Sequence, residues 1–267
     1  MQQAKFYEKV LDLIRAGKRG AVVTIISTEG STPRKAGAKM LVSEDLELVG
    51  TVGGGCVEAE IITAARTCMK NQKLVVKDFD LTRINRDEND MLCGGRLRVM
   101  IEPITGDDQL LIFGGGHVAL ALYQICRLLD FRVTITDDRA QFANKKRFPE
   151  ADQVFAAPYD QQFQSLSITP NTFIVIVTRA HTGDEICLKH ALKSPASYIG
   201  LLGSRSKFAQ LKKRLIDAGV PRAQLKRIHC PIGLDIGAVT PEEIAVSIAA
   251  EIIQHRVALS TSRGKKK

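Results

Sequence analysis

A chain of 267 residues is longer than most single hydrophobic cores, so its length favours two domains of about 100–150 residues each. Its apolar fraction of 45% and charged fraction of 25% are those of ordinary globular proteins, which excludes a disordered or fibrous chain. The excess of 38 basic over 29 acidic side chains, a net charge of +9, favours anionic ligands or acidic protein partners. The sequence contains no RNA-binding aromatic motif, zinc finger or internal repeat, so we expect no nucleic-acid partner.

The sequence also predicts the location of the protein. It has no run of about 18 apolar residues, the length of a membrane span, and residues 1–9 contain no apolar signal segment. The cysteines form no Cys-x-x-Cys pair, which fits neither a zinc ribbon nor a disulfide framework; they are Cys56, Cys68, Cys93, Cys126, Cys187 and Cys230. We therefore expect a cytoplasmic protein with reduced thiols and no membrane partner. We also expect a homodimer.

The first part of the chain predicts two helices and a set of short strands. Phe6, Val10 and Ile14 recur at helical spacing, and Gly17 supplies a stop. Turn-forming and basic residues fill the stretch 28–37, which predicts a basic loop. The predicted elements are a helix at 6–16, strands at 21–27, 39–42 and 46–49, a helix from the glycines at 53–55 to residue 70, and strands at 74–79 and 97–101.

A domain boundary is predicted at residues 103–108, where a proline, a glycine and two acids precede a new apolar run. The predicted domains are residues 1–105 and 106–267. In the second, strands alternate with helices, which is typical of a parallel sheet with helical crossovers. Its predicted strands are 110–113, 131–136, 153–156, 173–177 and 198–202, and its predicted helices are 117–129, 184–192, 207–218 and a final helix capped by Thr240, Pro241 and Glu243.

A glycine-rich turn lies between the first strand and first helix of the second domain. Gly114, Gly115, Gly116 and Ala119 match the G-x-G-x-x-A pattern of dinucleotide-binding folds, which predicts phosphate binding there. Asp137 ends the next strand and is predicted to accept from ribose hydroxyls, favouring NAD-like ligands over those with a 2′-phosphate. We therefore predict an α/β fold, with an N-terminal α/β domain followed by a Rossmann-type doubly wound parallel-sheet domain.

Polar residues follow several predicted strands at the carboxyl edge of this sheet, where ligands bind in open α/β folds. Arg179, His181 and Asp184 follow the fourth strand, and Arg205 follows the fifth. His117 lies at a helix start, which favours a neutral imidazole near a bound phosphate. The alternatives are a solvated loop with Asp184 as a helix cap, and a His117 with no chemical role.

The cysteines divide into two groups by their predicted surroundings. Cys68, Cys126 and Cys187 lie within predicted helices, which favours buried packing. Cys56 follows three glycines at a helix start, where backbone N–H groups lower a thiol pKa, and Cys93 precedes two glycines. These last two are candidates for a functional site, although a cysteine beside glycines also serves as a small side chain in a tight place.

Ordered motifs along nearly the whole chain, from about residue 5 to 256, resemble those of the XdhC/CoxI family. In the first half they are 30–34, 37–42, 53–58 and 93–95, and in the second they are 113–119, 137–139, 178–181, 200–205 and 231–237. The resemblance implies an accessory factor for molybdenum hydroxylases such as xanthine dehydrogenase. Such factors bind molybdenum cofactor, shield it while a cysteine desulfurase provides its terminal sulfido ligand, and deliver it to the apoenzyme.

The resemblance also implies roles for particular residues. Thiolates are soft ligands for molybdenum, so Cys56 and Cys93 become candidates for metal contact or sulfur handling. Arg34, Lys35 and the glycine-rich loop at 53–55 become candidates for the pterin phosphate. The Rossmann-type domain would bind a nucleotide form of the cofactor, NAD or another nucleotide, or nothing.

Two other functions are consistent with the sequence. We expect a maturation factor rather than an enzyme, but an NAD-dependent oxidoreductase would use His181 and Asp184 as its catalytic pair. The third possibility is a protein-docking module whose nucleotide fold has lost its ligand.

Overall fold

The computed structural model describes residues 2–81, 94–179 and 181–265; the predicted site residue Cys93 lies outside them. For Cys56 and His181 the backbone is described. Contacts divide the chain into two compact units, Met1–Gly106 with Leu259–Lys267, and Asp107–Ala258. Within the described ranges, no helix combines the length and the apolar character needed to cross a bilayer.

The first unit is built on an antiparallel sheet. Its strands are arranged in the order β3-β2-β1-β5-β4, and β1 pairs with both β2 and β5, so that Val23 lies between Met40 and Ile101. The elements are α1 (Gln2–Arg15), β1 (Gly20–Glu29), β2 (Lys39–Ser43), β3 (Leu48–Gly50), α2 (Gly55–Asn71), β4 (Val75–Asp80) and β5 (Arg96–Ile104).

Helices pack on both faces of this sheet. Successive residues of a strand point to opposite faces, so Val23 and Val22 of β1 enter different cores. Val23 packs in the cluster that holds Ile61 and other residues of α2, whereas Val22 packs with Phe6 of α1. The central strand is thus covered on both sides, which explains why residues 20–25 are all buried.

The second unit contains a parallel sheet of six strands in the order β11-β10-β9-β6-β7-β8. Counted within this unit, that order is 3-2-1-4-5-6, the order of Rossmann folds, so the predicted fold class is confirmed. The elements are β6 (Gln109–Phe113), α3 (His117–Leu128), β7 (Arg132–Asp137), β8 (Gln153–Ala156), α4 (Tyr159–Ser165), β9 (Thr172–Ile176), α5 (His181–Lys193), β10 (Tyr198–Leu201), α6 (Arg205–Asp217), α7 (Arg222–Leu225), β11 (Ile228–His229) and α8 (Pro241–Lys265).

The last helix begins as the sequence predicts. The backbone N–H of Glu243 donates to Thr240 Oγ1 at 3.2 Å, and the N–H of Thr240 donates to Glu243 Oε2 at 3.0 Å. This reciprocal pair satisfies two of the donors that a helix start leaves without partners. Ala245, Ile248 and Ile252, all on α8, are fully buried.

Glu251 ties α8 to the sheet. Its carboxylate accepts from the Tyr198 hydroxyl and the Gly233 N–H, both at 2.6 Å, and lies 2.8 Å from His229 Nδ1. Burial alone would raise the pKa of Glu251, but these donors hold it below its usual value. One side chain therefore links α8, β10, β11 and the segment after β11.

The three cysteines predicted to pack inside helices are buried. Cys68, Cys126 and Cys187 have no exposed surface. Burial raises the pKa of Cys68 to about 11 and that of Cys126 to about 12. These thiols are neutral at ordinary pH, and their predicted packing role is confirmed.

Candidate functional site

The glycine turn of the second unit follows β6, whose neighbours in the sheet are β7 and β9. Gly114 has a φ of +112°, and a Cβ there would lie 2.4 Å from the carbonyl oxygen of Val177. A Cβ on Gly115 would lie 2.3 Å from the carbonyl oxygen of Phe142. A Cβ on Gly116 would meet no atom within 4 Å. Packing therefore requires the first two glycines, whereas the third faces space that a ligand can use.

Asp137 organises this turn from the end of β7. Its carboxylate accepts from the N–H of Gly115 at 2.8 Å, and the Arg139 guanidinium donates to both of its oxygens at 2.8 and 3.0 Å. Burial opposes ionisation, but Arg139 and Gly115 hold the pKa of Asp137 below its usual value. Asp137 has 1% of its surface exposed, and Arg139 balances its charge, so its hydrogen bonds fix the shape of the turn. Its predicted contact with a ribose remains a prediction.

The loop after β7 covers the same turn from the other side. Arg147 Nε donates to the carbonyl oxygen of Gly115 at 3.0 Å, while Asp137 accepts the Gly115 N–H. Both backbone polar groups of Gly115 are thus used within the protein. An anion bound here would be held by the N–H groups of the first turn of α3, which have no intrahelical acceptors.

Asp138 is the carboxylate that the sequence reasoning missed at this edge. It is exposed, and its Oδ2 lies 3.6 Å from Arg179 Nη2. Since Asp138 follows β7 and Arg179 follows β9, this ion pair spans the carboxyl end of β6, which lies between those strands. The only sequence signal was the doubled acid, Asp137 next to Asp138.

The other predicted residues lie at three helix starts. His117 is the exposed first residue of α3, and Arg205 is the exposed first residue of α6, where Ser204 caps the helix by accepting from the N–H of Lys207. His181 is the first residue of α5. Strand order brings these helix starts to the carboxyl edge of one sheet.

A cavity of about 260 Å³ lies at the carboxyl ends of β9 and β10, with Arg179 and Lys207 among its lining residues. Asp184 also lines it, and accepts from the Thr178 hydroxyl at 2.6 Å. Its volume is below the roughly 300 Å³ at which small-molecule sites begin, so it can hold only part of a nucleotide. Cys230 lies near this edge, and burial raises its pKa to about 11.

The glycine turn of the first unit is organised by Glu58, in the first turn of α2. Glu58 Oε1 accepts from the N–H of Val52 at 3.0 Å, from the N–H of Gly53 at 3.2 Å and from the Thr51 hydroxyl. Burial opposes ionisation, but these bonds hold the pKa of Glu58 below its usual value. The amides predicted to receive a pterin phosphate therefore already face a carboxylate of the chain.

The two cations predicted to bind phosphate in the first unit, Arg34 and Lys35, have different surroundings. Arg34 lines a groove of about 740 Å³ together with residues of α1 and β2, whereas Lys35, its neighbour, is exposed and does not line it. Cys56 is the second residue of α2. Among the described residues, no group of three His, Cys, Asp or Glu side chains is placed to hold a metal ion.

Two family profiles match the chain. The profile described as the XdhC Rossmann domain covers residues 110–252, more than half of the chain, and the one described as the XdhC and CoxI family covers residues 13–80. The chain belongs to the XdhC and CoxI family. The resemblance drawn from the sequence motifs is thereby confirmed.

Three curated relatives are similar to this family member. Uncharacterized protein YqeB of Escherichia coli is 34% identical over 235 residues, which are 88% of this chain but 43% of YqeB, so the chain spans less than half of that relative. A Bacillus subtilis protein described as a probable xanthine dehydrogenase subunit is 26% identical over 94% of this chain and 97% of its own. Molybdenum cofactor insertion chaperone PaoD of Escherichia coli is 22% identical over 92% of this chain and 86% of its own.

A solved structure from Bacillus halodurans, described as a xanthine dehydrogenase, is similar in fold. The similarity covers 97% of this chain and 96% of that one, with a TM-score of 0.52 and 24% identity. At that identity the likeness concerns the fold alone, and it agrees with the Rossmann-type arrangement described above.

Proposed function

We propose that this protein is an accessory factor for a molybdenum hydroxylase of the xanthine dehydrogenase type, with molybdenum cofactor as its cargo. Membership of the XdhC and CoxI family and similarity to a protein named as a molybdenum cofactor insertion chaperone support this role. The observation that carries it is the position of Cys56 in the first turn of α2, directly after the glycine turn. A helix start favours a thiolate, and thiolates are good ligands for soft metals.

The proposal assigns a sequence of tasks to the chain. Cys56, with Cys93 as the second candidate, contacts the molybdenum centre or its sulfur, while Arg34 holds the phosphate end of the cargo. A cysteine desulfurase supplies the sulfido ligand while the cargo is bound, and the apoenzyme then receives it. We propose that the factor acts in the cytoplasm as a homodimer.

The test compares cysteine variants in two assays. Wild-type protein, Cys56→Ser and Cys93→Ser are loaded with molybdenum cofactor, and cofactor retention is measured together with activation of a sulfur-deficient apoenzyme. We expect Cys56→Ser to lose at least tenfold in retention, since an alcohol does not replace a polarisable thiolate. Cys230→Ser is the matched control, because it makes the same change at a thiol with raised pKa in the other unit.

Each outcome has a defined meaning. If both Cys56→Ser and Cys93→Ser retain the cofactor and activate the apoenzyme normally, the thiol mechanism is wrong. If wild-type protein neither retains the cofactor nor activates the apoenzyme, the accessory role is wrong. NAD-linked turnover that is lost in Asp184→Asn and unaffected by the cysteine variants would favour an oxidoreductase instead.

We also propose nucleotide binding by the second unit. The open space in front of Gly116 supports it, because packing explains Gly114 and Gly115 but gives no reason for the third glycine. The phosphate would bind at the start of α3, near His117, and the exposed carboxylate of Asp138 would accept from a ribose hydroxyl.

Calorimetry with NAD, NADP, CDP and CTP tests this second proposal. Gly116→Val should abolish binding while the protein stays folded, because a Cβ at this position meets no protein atom within 4 Å and the loss of a glycine cap costs about 1 kcal/mol. Asp138→Asn should weaken nucleotide binding by about 1–3 kcal/mol, the scale of an unmet hydrogen bond to a charged group. Unchanged affinity in a folded Gly116→Val variant would overturn the phosphate assignment.

A further inference from the structure

The largest groove described in the first unit is formed by three separate stretches of the chain. They are the start of α1, the loop between β1 and β2 together with the first residue of β2, and the end of β3 with the turn after it. Its volume of about 740 Å³ falls within the roughly 300–1,000 Å³ typical of small-molecule sites. The groove is therefore large enough for a ligand of the size of a fused heterocycle with a side group.

The charge of this groove is positive. Its lining includes Lys5, Arg34 and Lys39 and no carboxylate. Among the described residues none of these three cations forms an ion pair, whereas Lys9 pairs with Asp12, and Lys18 and Arg19 of the same unit also pair with acids. The groove thus brings together three cations that form no ion pair with a described residue.

Lys39 is the most constrained of the three cations. It is half-buried, and its Nζ donates to the hydroxyl of buried Thr24 at 2.9 Å. A hydroxyl does not neutralise an ammonium, and an ammonium has three donors, so charge and donors remain to be satisfied. An anionic ligand would supply the acceptor that this half-buried cation lacks.

The remaining walls suit a flat ring. The side chains of Phe6 and Val49 supply apolar surface, and Gly37 and Gly50 supply backbone without a side chain. Gly37 has a φ of +90°, and a Cβ there would meet no atom within 4 Å. A ring can therefore approach the backbone on one side of the groove while the cations hold an anionic group.

The groove adjoins the turn that leads to Cys56. Thr51 lines the groove, and its hydroxyl bonds to Glu58 of α2. Glu58 already accepts from the N–H groups of Val52 and Gly53 in the glycine turn, so these two amides cannot also bind a phosphate. The three cations of the groove are candidate phosphate partners beside this turn.

We infer that this groove binds a phosphate monoester carried on a flat heterocycle, with Lys39, Arg34 and Lys5 as the phosphate partners. This inference deepens the proposed function and rests on it in one respect, namely that the natural ligand is the phosphate-bearing pterin end of molybdenum cofactor. Lys39 and Arg34 then determine specificity for the phosphorylated over the dephosphorylated ligand.

The experiment titrates the full chain with a fluorescent, oxidised, metal-free pterin that carries the phosphate monoester, and with the same pterin after phosphatase treatment. Wild-type protein should prefer the phosphorylated form at least tenfold, and Lys39→Gln should weaken its binding about tenfold, the scale of one charge-assisted hydrogen bond. Arg34→Gln changes an exposed loop residue and serves as a second variant that does not depend on Lys39 packing. Lys9→Gln is the control, because Lys9 is one turn from Lys5 on α1 but pairs with Asp12.

Equal affinity of wild-type protein for the two pterins, or unchanged affinity in folded Lys39→Gln and Arg34→Gln, would overturn the inference. Apoenzyme activation separates it from the proposed function. If the groove variants activate the apoenzyme as well as wild type and bind the phosphopterin equally, the groove assignment fails and the accessory role stands. If phosphopterin binding needs the cations but wild-type protein activates no apoenzyme, the accessory role fails and the site stands.

Discussion

The two glycine-rich turns of this protein, residues 51–55 and 114–116, look alike in sequence and differ in charge. Each precedes a helix, and each has backbone amides that donate to a carboxylate of the chain, Glu58 in the first unit and Asp137 in the second. Asp137 is balanced by the Arg139 guanidinium. In the described part of the chain no cation pairs with Glu58, whose ionised form is held by hydrogen bonds.

This difference decides what each turn can bind. In the first turn the Glu58 carboxylate already accepts from the amides of Val52 and Gly53, so these amides are not free to donate to a phosphate. The second turn is neutral overall, and the first turn of α3 remains available for an anion. The same glycine pattern therefore occurs with two different arrangements around the internal carboxylate, one with a cation and one with hydrogen bonds alone.

Removing Arg139 should have the largest effect on the free energy of unfolding. It leaves the carboxylate of the second turn without a cation, as in the first turn. Arg139→Gln leaves a carboxylate with 1% exposure without its cation, and we expect the free energy of unfolding to fall by about 3 kcal/mol. Urea denaturation measures this change. Arg127→Gln is the control, since Arg127 pairs with exposed Glu150 and should cost at most about 1 kcal/mol. Equal losses in the two variants would show that Arg139 is an ordinary surface cation.

Removing Glu58 should have a smaller effect, because it is only half-buried. Glu58→Ala leaves the N–H of Val52 without its acceptor and the N–H of Gly53 with only the Thr51 hydroxyl oxygen at 3.2 Å, and we expect a loss of about 2 kcal/mol in the free energy of unfolding. Glu58→Gln keeps an acceptor oxygen and should lose less. The comparison of the two turns is wrong if Glu58→Ala unfolds at the same urea concentration as wild type.

Acidification should have the smallest effect on the free energy of unfolding. It should destabilise both turns, because the pKa values of Glu58 and Asp137 are both lowered in the folded protein. The pKa of Glu58 is lowered in the folded protein, so its contribution to stability is present above the unfolded value of about 4.3 and is lost as the pH falls through the folded value. Thr51→Val removes one bond to the carboxylate and should cost about 1 kcal/mol at pH 7. It should also move the acid-induced loss to higher pH.

Unfolding measured at several pH values between 7 and 3 tests that prediction. Thr63→Val is the matched control, because the exposed Thr63 hydroxyl bonds only to the backbone of its own helix. An acid profile of Thr51→Val that coincides with that of Thr63→Val would contradict a role for the Thr51 hydroxyl at Glu58.

Features that depend on a known motif of fixed spacing could be predicted from the sequence. The cap of α8 was predicted because Thr240 and Glu243 stand at the spacing of a known reciprocal pair. Glu58 lies one position further into its helix than that template allows, and it accepts from amides before the helix start. No known sequence pattern predicts these hydrogen bonds. The groove around Lys39 joins three separate stretches of the chain, which only the tertiary fold brings together.

Asp137 and Asp138 show the limit of spacing arguments in a parallel sheet. Asp137 is the buried last residue of β7, whereas Asp138 is the exposed first residue after it, so a difference of one position decides whether a carboxylate is buried or exposed. Strand β7 is covered on both faces, so its sequence lacks the alternation that would have separated the two acids. Helices α4 and α7 and strand β11 were missed because seven, four and two residues are too few to show a periodicity.

The hydrogen bonds of Glu251 affect the order in which parts of the chain can fold during synthesis. A ribosome that has released the chain only to residue 240 presents Tyr198, His229 and Gly233 without the carboxylate that accepts their hydrogen bonds. The apolar side chains that α8 buries are also still missing. The sheet of the first unit already has all five of its strands by residue 104. During synthesis the five-stranded sheet can therefore form while the second unit still lacks α8, and in that interval the second unit is most exposed to proteases and to aggregation.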